Sequence, residues 1–305
     1  MAPQRVIGVD LGGTKILAGI VDRDGTVERR REVPTPLESQ DELLHGLAGA
    51  VEDVLEDDVA AIGFGIPSTI DQRSGKAVTS VNIPLADLDL RAWMRERFDL
   101  PVGIDNDANA ATLAEWAHGA GRGTRYMVML TLGTGVGGGL ILDGKPYRGA
   151  IGAGAELGHM VIDLDGPPCQ GACTGRGHLE ALASGHAATL AAKEQFGPAV
   201  DAHRLVRLAN EGDDAAVALL AEFGHRLGAG IASLVNIFNP ELVVIGGGFS
   251  AAGDFLFEPA RKLVAREALS PARELVRIVR GELGTAAGLV GAGLVAFEAL
   301  DGAGA

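Results

Sequence analysis

The stretch PVGIDNDANAATLAE, Pro101 to Glu115, carries an apolar strand into Asn106 and Asp107 and then into an alanine-rich helix. A carboxylate at that junction lies beside the positive end of the helix dipole, which favours its ionised form and keeps it available as a base at neutral pH. The competing reading of Asp107 is a plain helix N-cap, a task that Asn109 could share. A second set of reactive side chains lies in ELGHMVIDLDGPPCQGACTGRGHLE, Glu156 to Glu180. There His159, Cys169, Cys173 and His178 offer two imidazoles and two thiolates, a donor set for tetrahedral zinc. The segment Asp163 to Arg176 is dense in Gly, Pro and Cys, and a loop with so little core gains rigidity from a metal. The alternatives are a Cys169–Cys173 disulfide, disfavoured in a reducing compartment, and free thiols with unrelated histidines. His186 is a weaker candidate ligand.

Two glycine-rich turns repeat one pattern. In Val6 to Asp22 an apolar strand runs into Asp10, Gly12, Gly13 and Thr14, and in Met127 to Asp143 another runs into Thr131, Gly133, Thr134 and Gly135. Asp22 follows Asp10, and Asp143 follows Thr131, at the same interval of 12 residues. Glycines let a phosphate approach the main chain, successive N–H groups form an anion-binding nest, and the hydroxyls of Thr14 and Thr134 add donors. Gly133 to Gly138 satisfies GxGxxG, but a strand and turn, Leu140 to Gly144, follow it instead of a helix. The pattern is therefore a β-hairpin and not a dinucleotide fingerprint. No Walker sequence surrounds Gly75-Lys76 or Gly144-Lys145, and Lys15 is assigned to solvent or structure.

These residues need a frame of strands and helices. Strand-like runs occur at Ala60–Ile66, Val102–Ile104, Met127–Leu132, Met160–Ile162 and Leu242–Ile245. Helical periodicity covers Ser39–Glu56, Leu90–Arg97, Ala108–Ala117, Asp213–Phe238 with a break allowed inside, Phe255–Glu267 and Ala286–Leu300. The alternation predicts α/β layers. The second hairpin begins soon after Asp107, so the reading divides the chain into a small α/β domain over 1–107 and a large one over 108–288. The last helix, about 289–305, is expected to return to the first domain.

Composition narrows the function classes. With 305 residues, 47% hydrophobic and 22% charged, the chain can bury a sizeable core. A net charge of −14 and an isoelectric point near 4.9 argue against a nucleic-acid surface. The apolar stretches are broken by Gly and Thr, so no continuous membrane span is expected. A strand starts by Val6 with no basic and apolar leader before it, which predicts a cytoplasmic protein.

Seven blocks, in order, give the chain its resemblance: DLGGTK (Asp10–Lys15), GIPSTID (Gly65–Asp71), NIP (Asn82–Pro84), DNDANAA (Asp105–Ala111), LGTGVGGG (Leu132–Gly139), ELGH (Glu156–His159) and GHLE (Gly177–Glu180). The chain resembles the ROK group of sugar kinases and sugar-responsive repressors, and within it the bacterial glucokinases. The resemblance implies a two-lobed α/β fold like actin and hexokinase, of ribonuclease H-like type with a duplicated core, with ATP on the larger lobe and sugar in the cleft. It implies Asp107 as catalytic base, and Asn82, Asn106, Asp107, Glu156, His159 and Glu180 as sugar contacts. Asp10, Gly12, Gly13 and Thr14, with Thr134 and Gly135, match the phosphate loops, and Gly246, Gly247 and Gly248 match the adenosine side. The expected cofactors are ATP with Mg²⁺ and a structural Zn²⁺, and dimers or tetramers are expected.

Two departures from the group's pattern stand out. The zinc loop reads CxxxC, with His178 in place of the last Cys, which makes a Cys2His2 set. Ser68 replaces a glycine and is expected to crowd or hydrogen-bond the sugar. The implied reaction is ATP-dependent phosphorylation of a hexose, with glucose first and fructose, N-acetylmannosamine, N-acetylglucosamine or allose as alternatives. A sugar-sensing repressor is the other class. Those carry a winged helix ahead of DLGGTK, whereas only nine residues precede Asp10 here.

Overall fold

In the computed structural model, which describes residues 4–80, 83–171 and 173–303, the chain forms two units. One comprises Met1–Arg122, Pro146–Ala155 and Thr285–Ala305, the other Gly123–Lys145 and Glu156–Gly284. The sequence reading began its second domain at Ala108, so the helix that follows Asp107 belongs here to the first unit.

The first unit is built on a five-stranded sheet. Apolar, β-branched runs form β1 (Arg5–Leu11), β2 (Lys15–Asp22), β4 (Val59–Ile66) and β8 (Val102–Asn106), while β3 (Val27–Pro34) is a charged edge. The order is β3-β2-β1-β4-β8, antiparallel between β1 and β2 and parallel across β1, β4 and β8. A smaller sheet holds β5 (Ser68–Asp71), β6 (Lys76–Ser80) and β7 (Leu88–Asp89). Helix α1 (Gln40–Glu52) is capped by Ser39, whose hydroxyl accepts from Glu42 N–H. It ends before Glu56, which pairs with Arg5 and Arg29. One face of the sheet meets α1 and α2 (Leu90–Phe98) through Ile7, Val9, Phe64, Leu43, Leu47 and Met94.

The opposite face receives α10 (Ala287–Ala303), together with α3 (Asp107–His118). Helix α10 lies so close that a side chain at Gly8, Gly63 or Gly103 would collide with the carbonyls of Leu289, Ala292 and Val295 respectively. Gly291 likewise meets the carbonyl of Ala110, and this backbone-to-backbone approach is why α3 groups with the first unit. Among the described residues, Gly284–Gly302 is the one helical stretch long and apolar enough to cross a membrane. Half of it is buried by these contacts, which is the physical reason for its apolarity.

The second unit repeats the plan. Strands β9 (Met127–Leu132) and β10 (Val136–Leu142) form the second glycine hairpin, and with β11 (Lys145–Pro146), β12 (Leu242–Gly246) and β13 (Arg277–Arg280) they give the order β11-β10-β9-β12-β13. Again one pair is antiparallel, β9 with β10, and the next two are parallel, β9 with β12 and β12 with β13. The helices of this unit are α4 (Leu179–Ala183), α5 (Gly185–Phe196), α6 (Ala202–Asn210), α7 (Asp214–Phe238), α8 (Asp254–Glu267) and α9 (Ala272–Leu275).

Helix α7 runs unbroken where a break was allowed. Its Gly224 and Gly228 face the carbonyls of Leu256 and Ala260 on α8, so they serve close helix packing. The strand expected at Met160–Ile162 does not form. Only Val161 makes an isolated bridge, to His178, because its partner is the irregular metal-type loop and the ladder has nothing to extend along.

Candidate active site

In the first hairpin, β1 delivers Asp10 to the turn, where Gly12 N–H donates to Lys15 O at 2.9 Å. Thr35 clasps the turn from outside: its hydroxyl donates to Gly12 O at 2.7 Å and its N–H to Thr14 O at 3.1 Å. Lys15 points away and pairs with Glu32 at 2.9 Å. Burial, and after it the charge of Asp107, raise the Asp10 carboxyl from 3.8 to about 6, with Lys15 opposing. Two carboxylates that repel each other in this way suit a divalent cation, which removes the repulsion.

Strand β8 ends in Asn106, and it is Asn106 that caps α3: its Oδ1 accepts from Ala108 N–H at 2.9 Å and Asn109 N–H at 3.3 Å. The N-cap reading of Asp107 therefore gives way, for Asp107 is the first helical residue, at the position where the dipole acts on it most strongly. The Asn106 amide also donates to Ser68 O at 3.5 Å. Ser68 itself is buried, and its hydroxyl donates to Thr79 O at 2.8 Å. The group expected to meet a sugar is thus already engaged within the small sheet. Asn82 lies outside the described residues.

In the second unit, the hairpin tip is held by Gly133 N–H donating to Gly135 O and Gly185 N–H to Gly133 O, both at 2.9 Å. Glu180, in the first turn of α4, accepts Val136 N–H at 2.9 Å through Oε2. The same oxygen fills the space that a side chain at Gly135 would occupy. Glu156 precedes a 3-10 turn, Leu157–His159, that packs under β10: Gly158 lies against Val136 O. Burial raises the Glu156 carboxyl, with His159 lowering it and Glu180 adding to the rise.

The four zinc candidates converge, with one ligand atom from each within 4.8 Å of the others. His159 Nδ1 is 3.2 Å from His178 Nδ1, Cys169 Sγ is 3.8 Å from His159 Nδ1, and Cys173 Sγ is 3.6 Å from His178 Nδ1. A tetrahedral zinc with ordinary bond lengths requires edges of about 3.3 Å between nitrogens and about 3.6 Å between nitrogen and sulfur. The residues fit the ion. Burial, with Cys173 and Glu180 adding to it, pushes the Cys169 thiol up to about 11. Glu180 Oε1 lies 3.7 Å from Cys169 Sγ, so this carboxylate touches both the hairpin and the metal-type cluster. His186 is elsewhere, on the wall of a cavity.

That cavity, of about 500 Å³, is lined by Gly133 and Thr134 of the hairpin, His186 and Thr189 of α5, His203 and Arg207 of α6, and Gly248 and Phe249 after β12. Its size suits a small organic ligand. Of the three glycines predicted for the nucleotide, Gly248 lines it. Gly247, at φ 80°, packs against the backbone of Leu132, and Gly246 ends β12; these two shape the turn. The motifs did not reveal His203 and Arg207, whose signal is only the helical spacing of Ala202, His203, Val206 and Arg207 along one face of α6.

Comparison with known proteins shows the family and the fold. The ROK family model matches residues 6–299. A glucokinase of Thermotoga maritima is 35% identical, over 99% of this chain and 100% of its own. A ROK hexokinase from Thermus thermophilus superposes with a TM-score of 0.82 at 37% identity, covering 98% of this chain and 100% of that one. A ROK family glucokinase from Streptomyces griseus, in complex with glucose and AMPPNP, gives 0.85 at 34% identity, covering 96% and 99%.

Proposed function

The chain belongs to the ROK family, and from that premise we propose that it transfers the γ-phosphoryl group of ATP to a hexose, glucose first, as a glucokinase. The observation that carries this reading is the second hairpin. Its Thr134 lines the cavity, and the adjacent Gly135–Val136 clasps Glu180, so one short turn joins a nucleotide pocket to a sugar-binding acid.

Asp107 accepts the proton of the attacking sugar hydroxyl, a role worth on the order of 10² to 10⁴ in rate. Glu156, Glu180, His159, Asn106 and Asn82 bind the remaining hydroxyls. A fixed carboxylate can accept two O–H bonds from neighbouring sugar hydroxyls, which makes recognition depend on their relative orientation. Thr134 and Gly135, with Gly12, Gly13 and Thr14, receive phosphate oxygens, and Gly246 to Gly248 shape the adenosine pocket. Mg²⁺, when bound with ATP, would neutralise phosphate charge, and Asp10 is the residue that would hold it. Zn²⁺ on His159, Cys169, Cys173 and His178 would fix the imidazole of His159 and, through the loop, Glu180. The expected setting is cytoplasmic, where ATP is the available donor.

The test is a coupled assay of the purified protein with ATP and Mg²⁺ against glucose, fructose, N-acetylglucosamine, N-acetylmannosamine and allose. Turnover highest on glucose is expected. A different preferred hexose reassigns the substrate, and silence across the panel leaves a sugar-sensing protein.

A further inference from the structure

Strand β8 is an edge of its sheet: among the described residues it pairs with β4 alone, yet its last residues lead into Asp107. Its open side is held by side chains. Gln72 donates to Ile104 O at 3.0 Å and to Asp105 Oδ1 at 3.2 Å. Asp105 is 1% exposed, and the same oxygen accepts from Asn106 N–H at 2.8 Å and Asn109 Nδ2 at 3.1 Å. Its other oxygen accepts from Arg148 Nε at 2.6 Å, and Arg148 Nη2 donates to Glu298 of α10 at 2.6 Å.

Arg148 reaches this place because Pro146–Ala155 is docked on the first unit. Ile151 O accepts from Gln72 N–H at 2.8 Å, and Gly152 leaves no room for a side chain against Ile70 O. Four donors reach this buried carboxylate, three on one oxygen from Gln72, Asn106 and Asn109 and one on the other from Arg148, so its charge is compensated chiefly by Arg148.

We propose that Asp105 and Arg148 are a positioning pair: by tying the end of β8 to α10 and to the Pro146–Ala155 strap, they fix the backbone from which Asp107 reaches the substrate hydroxyl. This rests on the reading of Asp107 as the base. Neither residue touches the reacting atoms, so loss of the pair shifts the base by a fraction of its reach and lowers kcat while the sugar still binds. A displacement near 1 Å costs about 10²-fold in rate.

The experiment compares Arg148→Ala, Arg148→Lys and Asp107→Asn by steady-state kinetics, with folded fraction measured by thermal unfolding and circular dichroism. Arg148→Ala is expected to lower kcat per folded molecule about 10- to 100-fold, with glucose KM within about threefold of wild type. Added guanidinium ion should restore part of that loss and do nothing for Asp107→Asn. Should Arg148→Ala fail to fold, Arg148→Lys keeps the charge but loses the planar fork, and is expected to fold with kcat down at least about fivefold. Wild-type kcat per folded molecule in Arg148→Ala, or in Arg148→Lys when Ala does not fold, overturns the proposal. If Asp107→Asn is inactive while the Arg148 variants are kinetically normal, only the positioning role falls. Full activity in Asp107→Asn removes the base reading itself.

Discussion

Asp10, proposed to face the phosphates, is a carboxylate whose burial works against the native fold. Its folded pKa of about 6 lies above the ordinary 3.8, so the ionised form disfavours the native state. That penalty is absent below pH 3.8, grows through the window up to about 6, and amounts to roughly 3 kcal/mol above it as an upper bound. Asp10→Asn is therefore expected to raise the unfolding free energy of the ligand-free protein by roughly 1 to 3 kcal/mol at pH 7.5, and to lose most activity. Urea unfolding at pH 7.5 and at pH 4 checks this, since the gain should vanish at the lower pH. A gain from Asp10→Asn that is equal at both values contradicts it. With Glu180 proposed as a sugar contact, Glu180→Gln is expected to raise glucose KM about 10- to 100-fold, the usual range for losing charged hydrogen bonds. At this scale the sequence was most informative where residue type alone decides chemistry: His159, Cys169, Cys173 and His178 were legible from donor type, and the structure brings them together. Ser68 was not, because its hydroxyl is directed by the register of β5 against β6 and no local pattern reveals that register.

The element scale is governed by how turns are locked. A side chain at Gly135 meets the free end of Glu180, so Gly135→Ala displaces that carboxylate from Val136 N–H, at a cost of about 0.5 to 1.5 kcal/mol for the lost hydrogen bond. Both glucose and ATP should then bind more weakly, a joint rise in KM measurable in one assay, whereas an ATP effect alone would separate the hairpin from the sugar acid. The loop bearing Cys169 and Cys173 is proposed to be locked by a metal on the converging His159, Cys169, Cys173 and His178. About one zinc per chain is expected by elemental analysis, kept in His178→Cys and lost in Cys173→Ala, with chelation raising glucose KM and lowering thermal stability. Normal kinetics in metal-free protein would dispose of that role. Both glycine hairpins were readable because near-continuous apolar runs flank an unusual turn. The edge strand β3, VERRREVP, was not, since its residues are almost all exposed and carry no alternation. The α6 face of the cavity escaped notice because His203 and Arg207 look like ordinary solvent residues until Thr134 and Gly248 close around them.

For the whole molecule, the repeated hairpins anticipated two sheets of one design, β3-β2-β1-β4-β8 and β11-β10-β9-β12-β13. What periodicity could not supply was the assignment of α3 and of the Pro146–Ala155 excursion to the first unit, since these depend on Gly291 meeting Ala110 and on Arg148 meeting Asp105. Ile237, Leu269 and Leu275 are 66%, 69% and 65% exposed on the second unit, and we propose them as part of the subunit contact of a homodimer or homotetramer. Sedimentation velocity should show an oligomer that Leu269→Glu with Leu275→Glu weakens, while a wild-type monomer would contradict it. The central claim is that this protein is an ATP-dependent hexose kinase with Asp107 as its base. Its most direct test is the rate of glucose 6-phosphate formation by Asp107→Asn, measured alongside glucose binding by calorimetry. The account predicts glucose affinity within about threefold of wild type and turnover reduced by about 10² to 10⁴; turnover equal to wild type would contradict it.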